Sequence, residues 1–239
     1  MIMEFAGIGY RSLQDSGALR GGTDRHSHIL YGVDDGVETV AEALSALAFE
    51  EYIGVTDVWC TPHIMEDVPN ETDALRIRFE ELRTLYTGPV RLHLAAEYML
   101  DGLFVRRFNS GDLLLMEDDV ILVETSSIAA PYDFIGILSG IMAEGYRPLL
   151  AHPERYVYMK MADYVRLRKM GVLFQLNLPS LIGYYGREVR SRAETLLRKG
   201  MYFAYGSDCH REKAMRLQYS TARLSKDVTK RVGQISCDM

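Results

Sequence analysis

The chain has 239 residues, 48% hydrophobic and 25% charged, with a formal net charge of −6. That length suits one α/β domain of the larger single-core kind. The acidic balance argues against non-specific nucleic-acid binding, and no apolar run approaches the roughly 18 residues of a membrane span. Cys60, Cys209 and Cys237 lack C-x-x-C spacing and describe no disulfide framework. The N-terminus lacks the basic start and long apolar stretch of a signal peptide, so a reducing, cytoplasmic setting is expected.

Residues 1–22 are polar and glycine-punctuated, and we read them as an N-terminal extension or docking arm. A single domain is expected over 23–239. There the chain alternates apolar runs with helix-period segments. Strands are expected at 23–30, 55–63, 90–98, 120–125, 146–153, 171–177 and 201–208. Helices are expected at 37–52, 71–86, 133–145, 160–170 and 187–199. In the first helix Val37, Val40, Leu44, Leu47 and Ala48 form the apolar face. Seven strands with intervening helices point to a distorted (β/α)7 barrel, with an open doubly wound sheet as the alternative.

Five of the six histidines stand at or just beyond the ends of these strands, in DRHSHIL, TPHI, LLAHPER and GSDCH. His26 and His28 have the i, i+2 spacing that projects two strand side chains to one side. Asp35 follows in a glycine-bounded loop, with Asp34 as the alternative donor; the acid's other reading is a cap on the next helix. His63, Glu97, Glu124 and His152 each close an apolar run, and Asp208 and His210 repeat the i, i+2 pattern. A surface pair or a structural salt bridge accounts for any one of these. Nine together are best explained by convergence at a barrel mouth, where imidazoles and carboxylates suit divalent metals. The sixth strand is the exception, ending at Asn177, and His93, inside a strand, is read as a core or surface residue.

DRHSHILYGVDDG, TPHIM, AAEYMLD, ILVET, AHPERY, FQLNLPSLIGYYG and GSDCH together resemble the polymerase-and-histidinol-phosphatase (PHP) superfamily. Within it they are similar to the bacterial protein-tyrosine phosphatases of capsule and exopolysaccharide gene clusters. The resemblance covers Thr23 to His210 and implies a trinuclear site on a PHP-type, TIM-like barrel. One metal takes His26, His28, Glu97 and Asp208; a second takes Asp35, His63 and His210; a third takes Glu97, Glu124 and His152. Manganese or iron is implied, with zinc also seen in the wider superfamily. Arg155 corresponds to the arginine that grips the phosphate, a task that suits its bidentate donors.

The implied reaction is attack of a metal-bound hydroxide on a phosphomonoester, with Arg155, Asp208 and His210 as catalytic residues. The implied partner is a phosphotyrosine-bearing protein, the C-terminal tail of a bacterial tyrosine kinase. A small-molecule phosphomonoesterase such as a histidinol phosphatase is the enzymatic alternative. A metal-stabilised regulatory binding module is the non-catalytic one. A cysteine-dependent phosphatase needs an arginine six residues after its thiolate; there Cys60 meets Glu66 and Cys209 meets Met215. Tyr98, Tyr132 and Tyr156 are the tyrosines considered for the substrate pocket.

Overall fold

The continuous apolar runs become short strands buried on both faces, as parallel pairing requires, and the helix-period segments become the helices between them. The computed structural model describes residues 10–237, so residues 1–9 of the expected extension lie outside the described residues. In chain order the first half comprises β1 (Tyr10–Ser12), α1 (Leu13–Ser16), β2 (Thr23–Ser27), α2 (Val40–Ile53), β3 (Asp57–Cys60), β4 (His63–Ile64), α3 (Thr72–Leu85), β5 (Arg91–Leu94), β6 (Glu97–Met99) and α4 (Gly102–Ser110). The second half comprises β7 (Val120–Glu124), α5 (Phe134–Ala143), β8 (Arg147–Leu150), α6 (Met161–Met170), β9 (Leu173–Asn177), α7 (Leu178–Leu181), α8 (Arg187–Arg198), β10 (Ala204–Gly206), α9 (Glu212–Thr221), β11 (Arg223–Ser225) and α10 (Lys226–Cys237).

Six parallel strands run in the order β10-β9-β8-β7-β6-β4, and three more in the order β2-β3-β5. The expected strands 55–63 and 90–98 each divide between the two sheets. Pro62 lacks an N–H for the ladder and marks the first division; Ala95 and Ala96 mark the second. The curl of the larger sheet brings its β10 end to β2, where Asp208 N donates to His26 O at 2.8 Å and His28 N to Cys209 O at 3.2 Å. The result is a mixed α/β fold with a curled parallel sheet.

Helix α2 starts later than expected because Thr39, not an acid of the preceding loop, caps it; Thr39 and Glu42 form a reciprocal capping box. Its buried face is also rotated from the expected one. Ala43, Ala46, Leu47, Phe49 and Ile53 are buried, whereas Ala48 is exposed. The cause is a second neighbour: Phe49 meets Tyr219 of α9, with ring centroids 6.2 Å apart.

Residues 10–22 are integrated into the fold. β1 pairs antiparallel with β11, and Leu13 and Leu19 are each only 1% exposed. The C-terminal region beyond His210 folds as well, into α9, β11 and α10. Among the described residues no helix is long and apolar enough to cross a membrane.

Candidate metal centre

His26 and His28 leave β2 side by side, their Nε2 atoms 3.1 Å apart. Each outer nitrogen meets an acceptor: His26 Nδ1 lies 3.1 Å from Gln175 Oε1, and His28 Nδ1 lies 2.7 Å from Asp34 Oδ2. Gln175 Oε1 also accepts from His152 N at 3.0 Å, which fixes the amide's orientation. In its neutral form each imidazole therefore keeps its proton on Nδ1, which leaves Nε2 as the atom that can bind a cation.

The two adjacent aspartates separate cleanly. The Asp34 side chain is buried and accepts from His63 N at 3.0 Å and Gly36 N at 2.9 Å as well as facing His28. Asp35 has a 69% exposed side chain, with Oδ1 3.3 Å from His210 Nε2 and 3.6 Å from His63 Nε2. Asp35 is thus the acid that joins the histidine cluster, and Asp34 orients its members. Gly36 permits this loop, because a Cβ there would collide with the His28 carbonyl and side chain.

Glu97, at the start of β6, is central. Its Oε1 lies 3.0 Å from His152 Nε2, and its Oε2 lies 3.1, 3.3 and 3.2 Å from His26 Nε2, His28 Nε2 and His63 Nδ1. Both Glu97 Oε2 and His63 Nδ1 are buried without a hydrogen-bond partner. Glu124, ending β7, lies 3.2 Å from His63 Nδ1 and 3.7 Å from His152 Nε2.

Asp208 divides its oxygens between two tasks. Oδ2 accepts from Asn177 Nδ2 at 2.7 Å, Arg155 Nη1 at 3.1 Å and Tyr185 OH at 3.3 Å. Oδ1 faces His210 Nδ1 at 3.3 Å, His28 Nε2 at 3.5 Å and His26 Nε2 at 3.7 Å. Two of the candidates, His152 (φ 34°) and Asp208 (φ 50°), have left-handed backbone that side chains rarely adopt. Such strain collects at functional sites.

Electrostatics favours a cation here. Burial alone would raise the carboxyls of Glu97 and Asp208, yet the surrounding histidines hold both below the ordinary range. Burial would lower His26, but Glu97 and Asp208 draw it up to about 9. The carboxylates thus demand positive charge at the centre, and divalent metal answers that demand while accepting the Nε2 lone pairs.

Four overlapping groups have donor atoms within 4.8 Å of one another: His28, Asp35, His63 and His210; His26, His28 and Asp208; His26, Glu97 and His152; and His63, Glu97 and Glu124. All nine expected donors belong to at least one group. His93 lies elsewhere, 2.9 Å from Asp57 and stacked on Trp59.

Arg155 lies on a short 3-10 turn, Pro153–Arg155, that follows His152. Buried Glu154 clamps this turn, accepting from Asn177 N at 3.0 Å and Tyr202 OH at 2.9 Å. The Arg155 guanidinium stacks 4.5 Å above the Tyr185 ring centroid while holding Asp208. The sixth strand adds no member to the donor groups, but its Gln175 and Asn177 orient His26 and Asp208. Their roles do not show in the sequence, because neutral amides carry no metal-ligand signature.

Two of the tyrosines considered for the pocket are core residues. Tyr98 OH accepts from Leu114 N, Tyr156 OH donates to Ala151 O, and both are fully buried. Tyr132 is fully exposed; the aromatics beside Asp208 are Tyr184 and Tyr185. Cys60 and Cys209 are buried thiols, the former pushed up to about 12 by burial, which suits neither to serve as a thiolate nucleophile.

A tyrosine-protein phosphatase YwqE of Bacillus subtilis is 26% identical over 197 residues, 80% of this chain and 78% of the relative. A putative tyrosine-protein phosphatase CapC of Staphylococcus aureus is 26% identical over 194 residues, covering 78% and 76%. A chain from the crystal structures of YwqE from B. subtilis and CpsB from Streptococcus pneumoniae, described as unique metal-dependent tyrosine phosphatases, superposes with a TM-score of 0.75 at 24% identity, covering 81% of each chain. The sequence profile for capsular polysaccharide synthesis, CpsB/CapC, matches residues 22–238. The chain belongs to the CpsB/CapC family of capsular polysaccharide synthesis.

Proposed function

We propose that this chain is a metal-dependent protein-tyrosine phosphatase of capsular or exopolysaccharide synthesis. It acts in the cytoplasm on phosphotyrosine in the C-terminal tail of a bacterial tyrosine kinase. The family match and the names of the relatives support the reaction class. The observation that carries the reading is Glu97, buried with an unpartnered Oε2 among three imidazole nitrogens at 3.1–3.3 Å.

In this reading the two sheets form one distorted seven-stranded barrel. β3–β4 and β5–β6 then count as two broken strands, and the bonds between β10 and β2 support closure. Three metals would be held: one by His26, His28, Glu97 and Asp208; one by Asp35, His63 and His210; and one by Glu97, Glu124 and His152. Two of the four donor groups share Glu97, which supports a place for it between two of the sites. Mixed imidazole and carboxylate donors suit manganese, iron or zinc.

Bound metals supply Lewis acidity to phosphate oxygens and make water a stronger acid. The protein's side chains do the rest. Gln175 and Asp34 keep the Nε2 lone pairs of His26 and His28 directed inward. Asn177 and Tyr185 hold Asp208 by one oxygen. Arg155 binds the equatorial phosphate oxygens, where negative charge grows during in-line displacement. A phenolate leaving group has a pKa of about 10, so the demand on Asp208 or His210 to move a proton is small.

The test is hydrolysis of a phosphotyrosine peptide, a phosphoserine peptide and histidinol phosphate after reconstitution with manganese, iron, cobalt or zinc. Preference for phosphotyrosine, abolished by chelation and insensitive to thiol alkylation, is expected. Tight binding of the kinase tail without turnover under every metal would overturn the catalytic reading.

A further inference from the structure

A hollow of about 260 Å³ opens beside the donor cluster, bordered by Arg155, Tyr184, Asp208, His210, Ala214 and Met215. We propose that it is an aryl subsite, seating the ring of the phosphate ester, with Tyr184 and Met215 determining preference for aryl over alkyl esters. The proposal rests on the phosphatase reading and deepens it.

Position is the first argument. A phosphate held by the metals and Arg155 must direct its leaving group away from the polar cluster, and this hollow borders both Arg155 and His210. The other large hollows border none of the nine donors: one lies on α3 beside Tyr31 and Ile77, another beside Tyr132 and Tyr158. Size is the second. Pockets for drug-sized ligands span roughly 300–1,000 Å³, so this one is scaled to a single ring and its first carbon.

Wall chemistry is the third. Met215 is 4% exposed and supplies a polarizable thioether, which packs well on aromatic edges. Tyr184 is 62% exposed and stands edge-on to Tyr185, at 4.9 Å between centroids. Tyr185 is itself fixed by Asp208 and by the Arg155 guanidinium over its face. Tyr184 thereby stands at the hollow against a fixed neighbour, an aromatic wall of the kind that packs on a phenyl ring. An alkyl ester would leave these apolar walls against water.

The test uses metal-loaded enzyme and two non-hydrolysable probes, phenylphosphonate and methylphosphonate, with binding read by calorimetry. Wild type should bind the phenyl probe roughly ten-fold tighter or more, the size expected from burying a ring. Tyr184→Ser removes a wall and Ala214→Phe fills the hollow. Both should cut that preference to less than about three-fold while leaving methylphosphonate affinity within about two-fold. Phosphotyrosine-peptide KM should rise correspondingly, with phosphoserine-peptide KM unchanged. An undiminished phenyl preference in both variants would overturn the assignment. Failure of wild type to bind either phosphonate would instead overturn the phosphatase reading beneath it.

Discussion

Replacing Asp34 by asparagine tests whether the buried aspartate orients the cluster or is merely a loop residue. Asp34 Oδ2 accepts from His28 Nδ1 at 2.7 Å and His63 N at 3.0 Å, while Oδ1 accepts from Gly36 N at 2.9 Å. Asparagine has one acceptor oxygen. If that oxygen keeps the two donors on the Oδ2 side, its NH2 group faces the Gly36 N–H, and one backbone bond is lost. The reverse orientation sets NH2 against two donors and is worse. The better orientation still removes the charge from the His28 bond, and charge-assisted bonds contribute about 1.5–3 kcal/mol against about 1 kcal/mol for neutral ones.

Loss of such an orienting carboxylate typically lowers metal affinity ~10–100-fold. Competition titration against a fluorescent chelator should show that drop for Asp34→Asn. Asp35→Asn, on an exposed side chain, should lower metal content with little change in the chelated protein's Tm. Metal affinity of Asp34→Asn within two-fold of wild type, together with unchanged Tm, would refute the assignment.

Acid should reveal the same group in chelated protein. Burial would raise Asp34, but the His28 bond and charge outweigh it and hold the carboxyl at about 2. A folded pKa below the unfolded value of about 3.9 contributes stability that is complete above that value and lost as pH falls toward 2. The Tm gap between wild type and Asp34→Asn should therefore close between about pH 5 and pH 2. Arg155→Ala should cost about 10²–10³ in kcat, with metal content unchanged by elemental analysis; loss of metal would show that Arg155 holds Asp208 more than it holds phosphate. Leu13→Ala, in the arm that sequence set apart from the domain, should cost about 2–5 kcal/mol in denaturant unfolding; a cost near zero would restore the view of that arm as an accessory.

The clustering of the nine histidines and acids was legible because metal chemistry restricts the residue types, and strand ends restrict their placement. His26, His28 and Glu97 each close or follow an apolar run, and those runs become the parallel strands whose ends converge. Helices such as α6 and α8 were legible from period and terminal signals to within a residue or two. α9 escaped because neither Arg211 before it nor Ala222 after it is a terminal signal, whereas α4 was missed although Asp101 caps it and Gly111 closes it. Residues 10–22 escaped for a related reason: a three-residue strand has no period, and its partner, β11, lies more than two hundred residues away in sequence.

The sequence by itself determined the α/β class, the strand ends that carry histidines and acids, and the separation of His93 from them. Those properties are local, since residue type and period suffice to state them. Only the tertiary structure decided that Asp34 orients while Asp35 faces the cluster, because two adjacent acids differ only in where the loop directs them. Only it gave Gln175, Asn177 and Tyr185 their roles, since each meets its partner across many residues of chain. Amides and phenols acquire function from what they touch, and contact is a property of the folded chain.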